Sequence, residues 1–494
     1  MLTLFVATGL RHLDSVPQVY EDEPWQASTA YKLLHHGVFG SDLFAGFYNM
    51  DQRYYGFMPL HPLLLGATFK LLGTGLAQAR TETLVAGALT LVLTFALGVR
   101  LFNVWVGALA VVILVLVRWT GLTYVQLSGI PLVDFARIAR YDPLVPVLGL
   151  AALHVYLSAR SGLHFAVAGA LAGLSGLAHV YGLFWVLALV VLAIWDHQRR
   201  TAIVFLAVGA ALPWLPYAAY VASDIPDWRG QTAIYASRFE LLNPAWYLNN
   251  LVQELHRYGP GLGPPGVGWL LRPGFWFLLV ALPLSLLALT RRAAADPRSR
   301  AIVLPALTFP VLFALFITLK LVNYTLIELP LFALAVAWGV TTHWSAHRSA
   351  RPLLAALAVG VLIEGGVALG RLEQAAASTT PYPTYIARVR QYVPAGVRIL
   401  GLHSYWLGFE DFDYRSFLVP LNVADAGVPL DEALSRVAPD VVLLDARMRD
   451  YFDSPEAAAD GARFRGWLQQ HSAELIGRVD DPTYGLMEIY RVSR

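Results

Sequence analysis

From Arg80 to Leu369 the chain alternates long apolar runs with short polar breaks. Ten runs stand out: Ala79–Arg100, Val104–Val117, Pro143–Leu157, Leu163–Ala178, Tyr181–Trp195, Ala202–Val221, Trp269–Leu289, Ala301–Leu319, Leu321–Val340 and Pro352–Leu369. A helix needs about 20 apolar residues to cross a hydrocarbon core about 30 Å thick. The pattern therefore predicts a polytopic bundle of about 10–12 transmembrane helices. Leu2–Leu10 is a further apolar stretch, too short to cross, which points to a truncated or mis-assigned start. Pro59–Leu72 is also short. It reads as an interfacial or re-entrant segment, allowed at membrane depth where protein or a water-filled cavity covers its backbone.

Composition agrees with this pattern. Of 494 residues 57% are hydrophobic and only 14% are charged, where a soluble domain carries about 25%. The deficit requires a lipid-facing surface. The net charge of +2 is too small for a nucleic-acid binder, and the basic residues lie in short clusters between apolar runs. These clusters, Asp196–Arg200, Arg291–Arg300 and His343–Arg351, with Arg100 and Arg160 as weaker marks, fit one cytoplasmic side. The outer side then receives Leu13–Gln78, Arg118–Asp142, Ala222–Gly268 and everything after Ala375. A multi-pass protein of the plasma or inner membrane is expected. The absence of cysteine excludes disulfides, thiolate catalysis and cysteine metal sites.

Past Leu369 the pattern becomes that of a soluble domain, introduced by the linker Ser378-Thr379-Thr380-Pro381-Tyr382-Pro383. Val397–Leu402, Val441–Leu444, Leu475–Arg478 and Met487–Val492 read as strands, and Ser454-Pro455-Glu456 as a helix start. The division expected is a membrane domain over 1–377, with outer loops 13–78 and 222–268, and an outer-face α/β domain over 378–494.

Three polar sites interrupt this frame. Tyr20-Glu21-Asp22-Glu23-Pro24-Trp25 places three adjacent carboxylates before a helical pattern over Ala27–His36. Asp22 or Glu23 ahead of Pro24 suits a helix N-terminus, and equally suits a general base that takes the proton of an attacking hydroxyl. Ala139-Arg140-Tyr141-Asp142-Pro143 brings a second carboxylate to the same side. Asp142 is a candidate for positioning an acceptor, for holding a divalent cation together with Asp22, or for capping a helix, with Arg140 as its structural partner. Lys320-Leu321-Val322-Asn323-Tyr324 puts a lone cation at an outer turn. An interfacial anchor and a lipid-phosphate site both fit it. Glu328 lies one to two turns deeper, where an ionisable group is functional or paired by default. His35, His36 and His61 share the outer side but match no metal spacing, which favours structural or substrate-contacting roles. His179, Glu364 and the loop Leu241–Arg272 with Arg257 give weaker signals. Glycine-rich phosphate loops are absent.

Taken together, Asp22-Glu23, Met58-Pro59-Leu60-His61-Pro62-Leu63, Arg140-Tyr141-Asp142 and Lys320–Pro330 resemble the motifs of the polyprenyl-phosphate-sugar-dependent glycosyltransferases of the C-type membrane fold (GT-C). That group includes protein O-mannosyltransferases and the transferases that put aminoarabinose on lipid A. The resemblance runs through most of the chain and implies inverting transfer of a sugar from a polyprenyl-phosphate carrier to a hydroxyl acceptor on a protein, lipid or glycan. It assigns Asp22 as catalytic base, with Glu23 and Asp142 as further catalytic carboxylates. Lys320, Asn323 and Tyr324 become candidates for the donor phosphate, with Arg53, His61 and Arg140 as further substrate contacts. The only candidate cofactor is a divalent metal ion. Met58 stands where several relatives carry a phosphate-neutralising lysine. A transporter or flippase of a lipid-linked saccharide is the competing class, although neither an internal repeat nor a matched pair of interrupted helices is present. A membrane-anchored assembly factor is the third.

Overall fold

The computed structural model describes residues 1–118, 128–196, 200–258 and 273–493. Parts of Asp196–Arg200, of the loop Leu241–Arg272 and of the run Trp269–Leu289 lie outside the described residues. In chain order the helices are α1 (Leu2–Leu10), α2 (Asp22–His36), α3 (Leu60–Leu72), α4 (Leu76–Leu101), α5 (Val104–Leu116), α6 (Pro131–Phe135), α7 (Leu144–Ser158), α8 (Gly162–Ala178) and α9 (Phe184–Trp195). They continue with α10 (Ala202–Ala211), α11 (Leu215–Ala222), α12 (Ile225–Ala236), α13 (Pro244–Tyr258), α14 (Pro273–Trp276), α15 (Leu282–Ala293), α16 (Pro297–Phe316), α17 (Leu329–Ala346) and α18 (Arg351–Ser378).

Among the described residues, the apolar runs read from the sequence fall on these helices or helix pairs. Among the described residues four helical stretches are long and apolar enough to cross a bilayer: Leu76–Leu101, Ala202–Ala222, Pro297–Phe316 and Arg348–Arg390. Shorter apolar helices such as Val104–Leu116, Leu144–Ser158 and Gly162–Ala178 pack among them. The chain is a polytopic α-helical membrane protein. Its boundaries follow local chemistry. Asn103 accepts from the Trp105 and Val106 amides and so starts α5, while Asp296 caps α16 with Pro297 at the first helical position. α8 and α10 approach closely through glycine: a Cβ at Gly209 would lie 1.9 Å from the Ala166 carbonyl oxygen, so only a small-residue seam permits the contact. α17 is the central helix, buried without a break from Leu329 to Gly339. The short segment at Pro59–Leu72 forms α3, which buries His61, Leu65 and Phe69 on one side.

The C-terminal part contains five strands: β1 (Arg398–Gly401), β2 (Asp413–Ser416), β3 (Val441–Leu444), β4 (Glu474–Asp481) and β5 (Gly485–Arg491). Their order is β2-β1-β3-β5-β4. β1 runs parallel to β2 and β3, and β5 antiparallel to β3 and β4. All four residues of β3 are buried, as its apolar sequence requires. β2 is a strand without an apolar run: of Asp413-Tyr414-Arg415-Ser416 only Tyr414 and Ser416 are buried. The helix expected at Ser454 begins instead at Ala458. Ser454 Oγ accepts from the Ala457 amide, closing a turn that delays the helix.

The sheet does not stand alone. Ala27, Ala30, Phe44, Tyr54, Leu65 and Phe69 share one apolar core with Ile399, Val441 and Ile489. Gln18 donates to the Thr483 carbonyl, the Tyr382 amide to that of Asp14, and Arg447 pairs with Glu21. The segment carrying Asp22 is thereby held between the membrane helices and the sheet.

Candidate functional site

Residues far apart in sequence converge beside the start of α2. Arg140 donates through Nη1 to Asp22 Oδ2 and, at 2.7 Å, through Nε to Asp142 Oδ2. Asn323 Nδ2 donates to Asp142 Oδ1 at 2.8 Å. Neither aspartate caps its helix: no side-chain cap bond exists at the start of α2 or of α7. Both carboxylates face Arg140 instead. The guanidinium also sits over the rings of Tyr20 and Tyr141, 5.0 and 5.1 Å from their centroids. Its position is thus fixed by two charges and two aromatic faces. Asp142 and Arg140 are 4% exposed, while Asp22 retains 22% of its side-chain surface. Asp22 is thus the more exposed of the two carboxylates.

Burial raises the Asp22 carboxyl above its ordinary value of 3.8; Arg140 opposes that rise and the charge on Asp142 adds to it. Next to Asp142 lies a narrow cavity lined by His179, Tyr181, Phe313, Asn323 and Tyr324. His179 stacks on Tyr141 with centroids 4.5 Å apart. Burial lowers it to about 4, so the imidazole is neutral at physiological pH.

A second cluster lies behind Phe313. Lys320 Nζ donates to Glu254 Oε2 at 2.9 Å and to the Phe313 carbonyl at 2.7 Å. Arg257 bridges Glu254 and Glu328, and the Tyr258 hydroxyl donates to Glu328 at 2.7 Å. The Arg257 guanidinium stands 4.1 Å over the Phe313 ring, and Phe313 stacks on Tyr324. The two clusters share this aromatic partition. Two cations and two carboxylates leave the second cluster balanced as it stands.

Of the residues singled out from the sequence, Asp22, Arg140, Asp142, Asn323 and Tyr324 come together. Lys320 joins the second cluster, where both its contacts are already made. The other three go elsewhere. Glu23 has no exposed surface; its carboxylate receives Arg80 Nε and Nη2 at 2.7 and 2.8 Å and the Tyr20 and Ala139 amides at 2.7 Å each. All four donors belong to the protein, so Glu23 is held in the interior and not in the Arg140 cluster. His61 is fully buried and meets Glu82 at 3.1 Å, away from the Arg140 cluster. Arg53 is half-buried and donates to Ser223 Oγ at 2.5 Å, tying the first outer loop to the end of α11. Sequence reasoning missed Arg80, Glu254 and Tyr258. The spacing of Glu254 and Arg257 on an amphipathic helix was the available signal, since both sit on its buried side.

A divalent cation shared by Asp22 and Asp142 would need the space between them. Arg140 fills it and already supplies the compensating charge, so this arrangement does not fit a bridging cation. Among the described residues no group of three or more histidine, aspartate or glutamate side chains is arranged to hold a metal.

No protein-family model matches the chain, and no curated protein matches it by sequence. Solved structures do match. ArnT from Cupriavidus metallidurans, crystallised with undecaprenyl phosphate, superimposes with a TM-score of 0.64 at 13% identity, over 99% of this chain and 96% of that one. The archaeal oligosaccharyltransferase AglB from Archaeoglobus fulgidus, in complex with an inhibitory peptide and a dolichol-phosphate, gives 0.58 at 12% identity, over 100% of this chain and 74% of that one. The chain thus has the GT-C fold, the architecture expected from its motifs.

Proposed function

We propose that the chain is a membrane glycosyltransferase that moves a sugar from a polyprenyl-phosphate carrier to a hydroxyl acceptor, on the outer face of the plasma or inner membrane. The acceptor oxygen attacks the anomeric carbon, its proton passes to Asp22, and the bond from that carbon to the phosphate oxygen breaks with inversion. The observation that carries this reading is the Asp22–Arg140–Asp142–Asn323 cluster: a partly exposed carboxylate of raised proton affinity, held by a buried cation whose other partner, Asp142, lines the narrow aromatic cavity. Arg140 and Asn323 orient the pair of carboxylates, and Asp142 holds Arg140 in place. The outer face and an outward C-terminal sheet are supported by the basic clusters at the opposite ends of the helices.

Lys320 and Arg257, at the neighbouring cluster, are the cations available to the leaving phosphate. Their present carboxylate partners would exchange for phosphate oxygens. The domain division at residue 378 is retained in this reading, with the sheet acting as a wall of the site through its core shared with α2. The lipid-phosphate carriers in the similar structures support a carrier of the same chemistry.

The test is a reconstituted assay with a radiolabelled polyprenyl-phosphate sugar, following free polyprenyl phosphate and labelled acceptor together. Equal release of both supports the reading. Movement of intact donor across the bilayer without cleavage would replace it with the flippase class.

A further inference from the structure

At the end of the bundle away from Asp22 lies a cavity of about 1260 Å³ whose lining includes Asn103, Trp105, Arg292, Arg298, Trp338 and Trp344. Its distance from the candidate site follows from α4. Arg80, near the start of that helix, holds Glu23, and Leu101 at its last residue lines the cavity. At 1.5 Å per residue the two ends are about 30 Å apart, one hydrocarbon thickness. The cavity therefore lies at the opposite headgroup level. It is a separate feature and does not depend on the transferase reading.

Its charge is basic on balance, with Arg292 and Arg298 against one acid, Asp296. Arg292 and Arg298 are exposed, and neither forms an ion pair with a carboxylate among the described residues. Arg292 stands 5.4 Å over the Trp338 ring, which fixes its guanidinium at the cavity wall. Asp296, the acid in the lining, is turned to its own helix: it accepts from the Arg298 and Ser299 amides at 3.1 and 3.2 Å and from Ser299 Oγ at 2.6 Å. The start of α16 adds the partial positive charge of a helix N-terminus, part of which Asp296 offsets. The remaining wall is apolar and open, with Trp105 72% and Trp344 43% exposed. Tryptophan beside arginine at this depth matches the interfacial belt, and basic pockets between membrane helices accept phosphate headgroups. The volume exceeds the 300–1,000 Å³, roughly, of an ordinary small-ligand pocket, which leaves room for a headgroup and the first part of its acyl chains.

We propose that this cavity binds an anionic phospholipid of the leaflet opposite the Asp22 site, with Arg292 and Arg298 on the phosphate and Trp105 and Trp344 along the glycerol and upper acyl chains. The experiment is native mass spectrometry of the full chain in detergent, titrated with phosphatidylglycerol or phosphatidylcholine. Wild type should retain phosphatidylglycerol in preference to phosphatidylcholine. The pair Arg292→Gln with Arg298→Gln should lower that retention by about thirtyfold, given roughly one kilocalorie per arginine near an anionic headgroup. The pair Arg291→Gln with Arg348→Gln removes the same charge from the same face outside the cavity, and should match wild type. Trp105→Ala, at a 72% exposed position, should weaken retention without altering the charge. Equal loss in both arginine pairs would mean general attraction to a basic face and would overturn the site. So would the absence of any preference between the two lipids in wild type.

Discussion

Glu23→Gln separates holding the site from performing its chemistry. In the wild type each Glu23 oxygen takes one Arg80 nitrogen and one backbone amide, so four donors converge on a carboxylate with no exposed surface. Glutamine keeps one acceptor oxygen and presents an amide NH2 to the other two donors. Arg80 loses its counterion while remaining fully buried, with the one glutamine oxygen and the Leu13, Pro17 and Gln18 carbonyls left to it. A buried ion pair broken on one side costs about 3–5 kcal/mol. That lowers the folded-to-unfolded ratio by about two to four orders of magnitude. The assay pairs denaturant unfolding of the protein in detergent with sugar transfer per folded molecule. Glu23→Gln should unfold much earlier and keep most of its specific activity below its transition. A variant that unfolds like wild type but transfers no sugar would refute this and return Glu23 to the chemistry.

Asp142→Asn should leave Asp22 in place but remove a like charge that raises its proton affinity, so the acid limb of the pH–rate profile should move to lower pH. A limb that stays put or moves up would contradict the coupling. The limb itself should lie above that of an ordinary aspartate, because protonating Asp22 removes the base as pH falls through its raised value. Arg140→Lys keeps a charge but cannot reach both carboxylates as a planar fork, and should lower kcat by about tenfold to a hundredfold with little change in folding; unchanged turnover would deny Arg140 its positioning role. Treatment with EDTA should leave transfer intact, since Arg140 occupies the place of a bridging cation; inhibition reversed by a divalent ion would overturn that.

Much of this was legible in the sequence because hydrophobic runs and acidic exceptions to them are local signals. The membrane helices followed from run length, and Asp22, Arg140, Asp142 and Asn323 were visible as polar residues at the ends of apolar segments. Partnership was not legible. Asp22 and Glu23 are adjacent in sequence and alike in chemistry, yet a rotation of about 100° around α2 sends one to Arg140 at the site and the other to Arg80 in the interior. Lys320 read as a free cation because Glu254 approaches it from a helix 66 residues away. β2 escaped for the opposite reason: its pairing with β1 supplies the order that its polar sequence does not.

The central claim is that Asp22 takes the proton of the acceptor hydroxyl. The most direct test compares wild type with Asp22→Asn at matched expression, measuring transfer of radiolabelled sugar from a polyprenyl-phosphate donor to membrane acceptors. Asparagine preserves the size of the side chain and its place beside Arg140 but cannot accept the proton, so transfer should fall by about a hundredfold or more while the protein remains folded. Full activity in the folded Asp22→Asn variant would contradict the account.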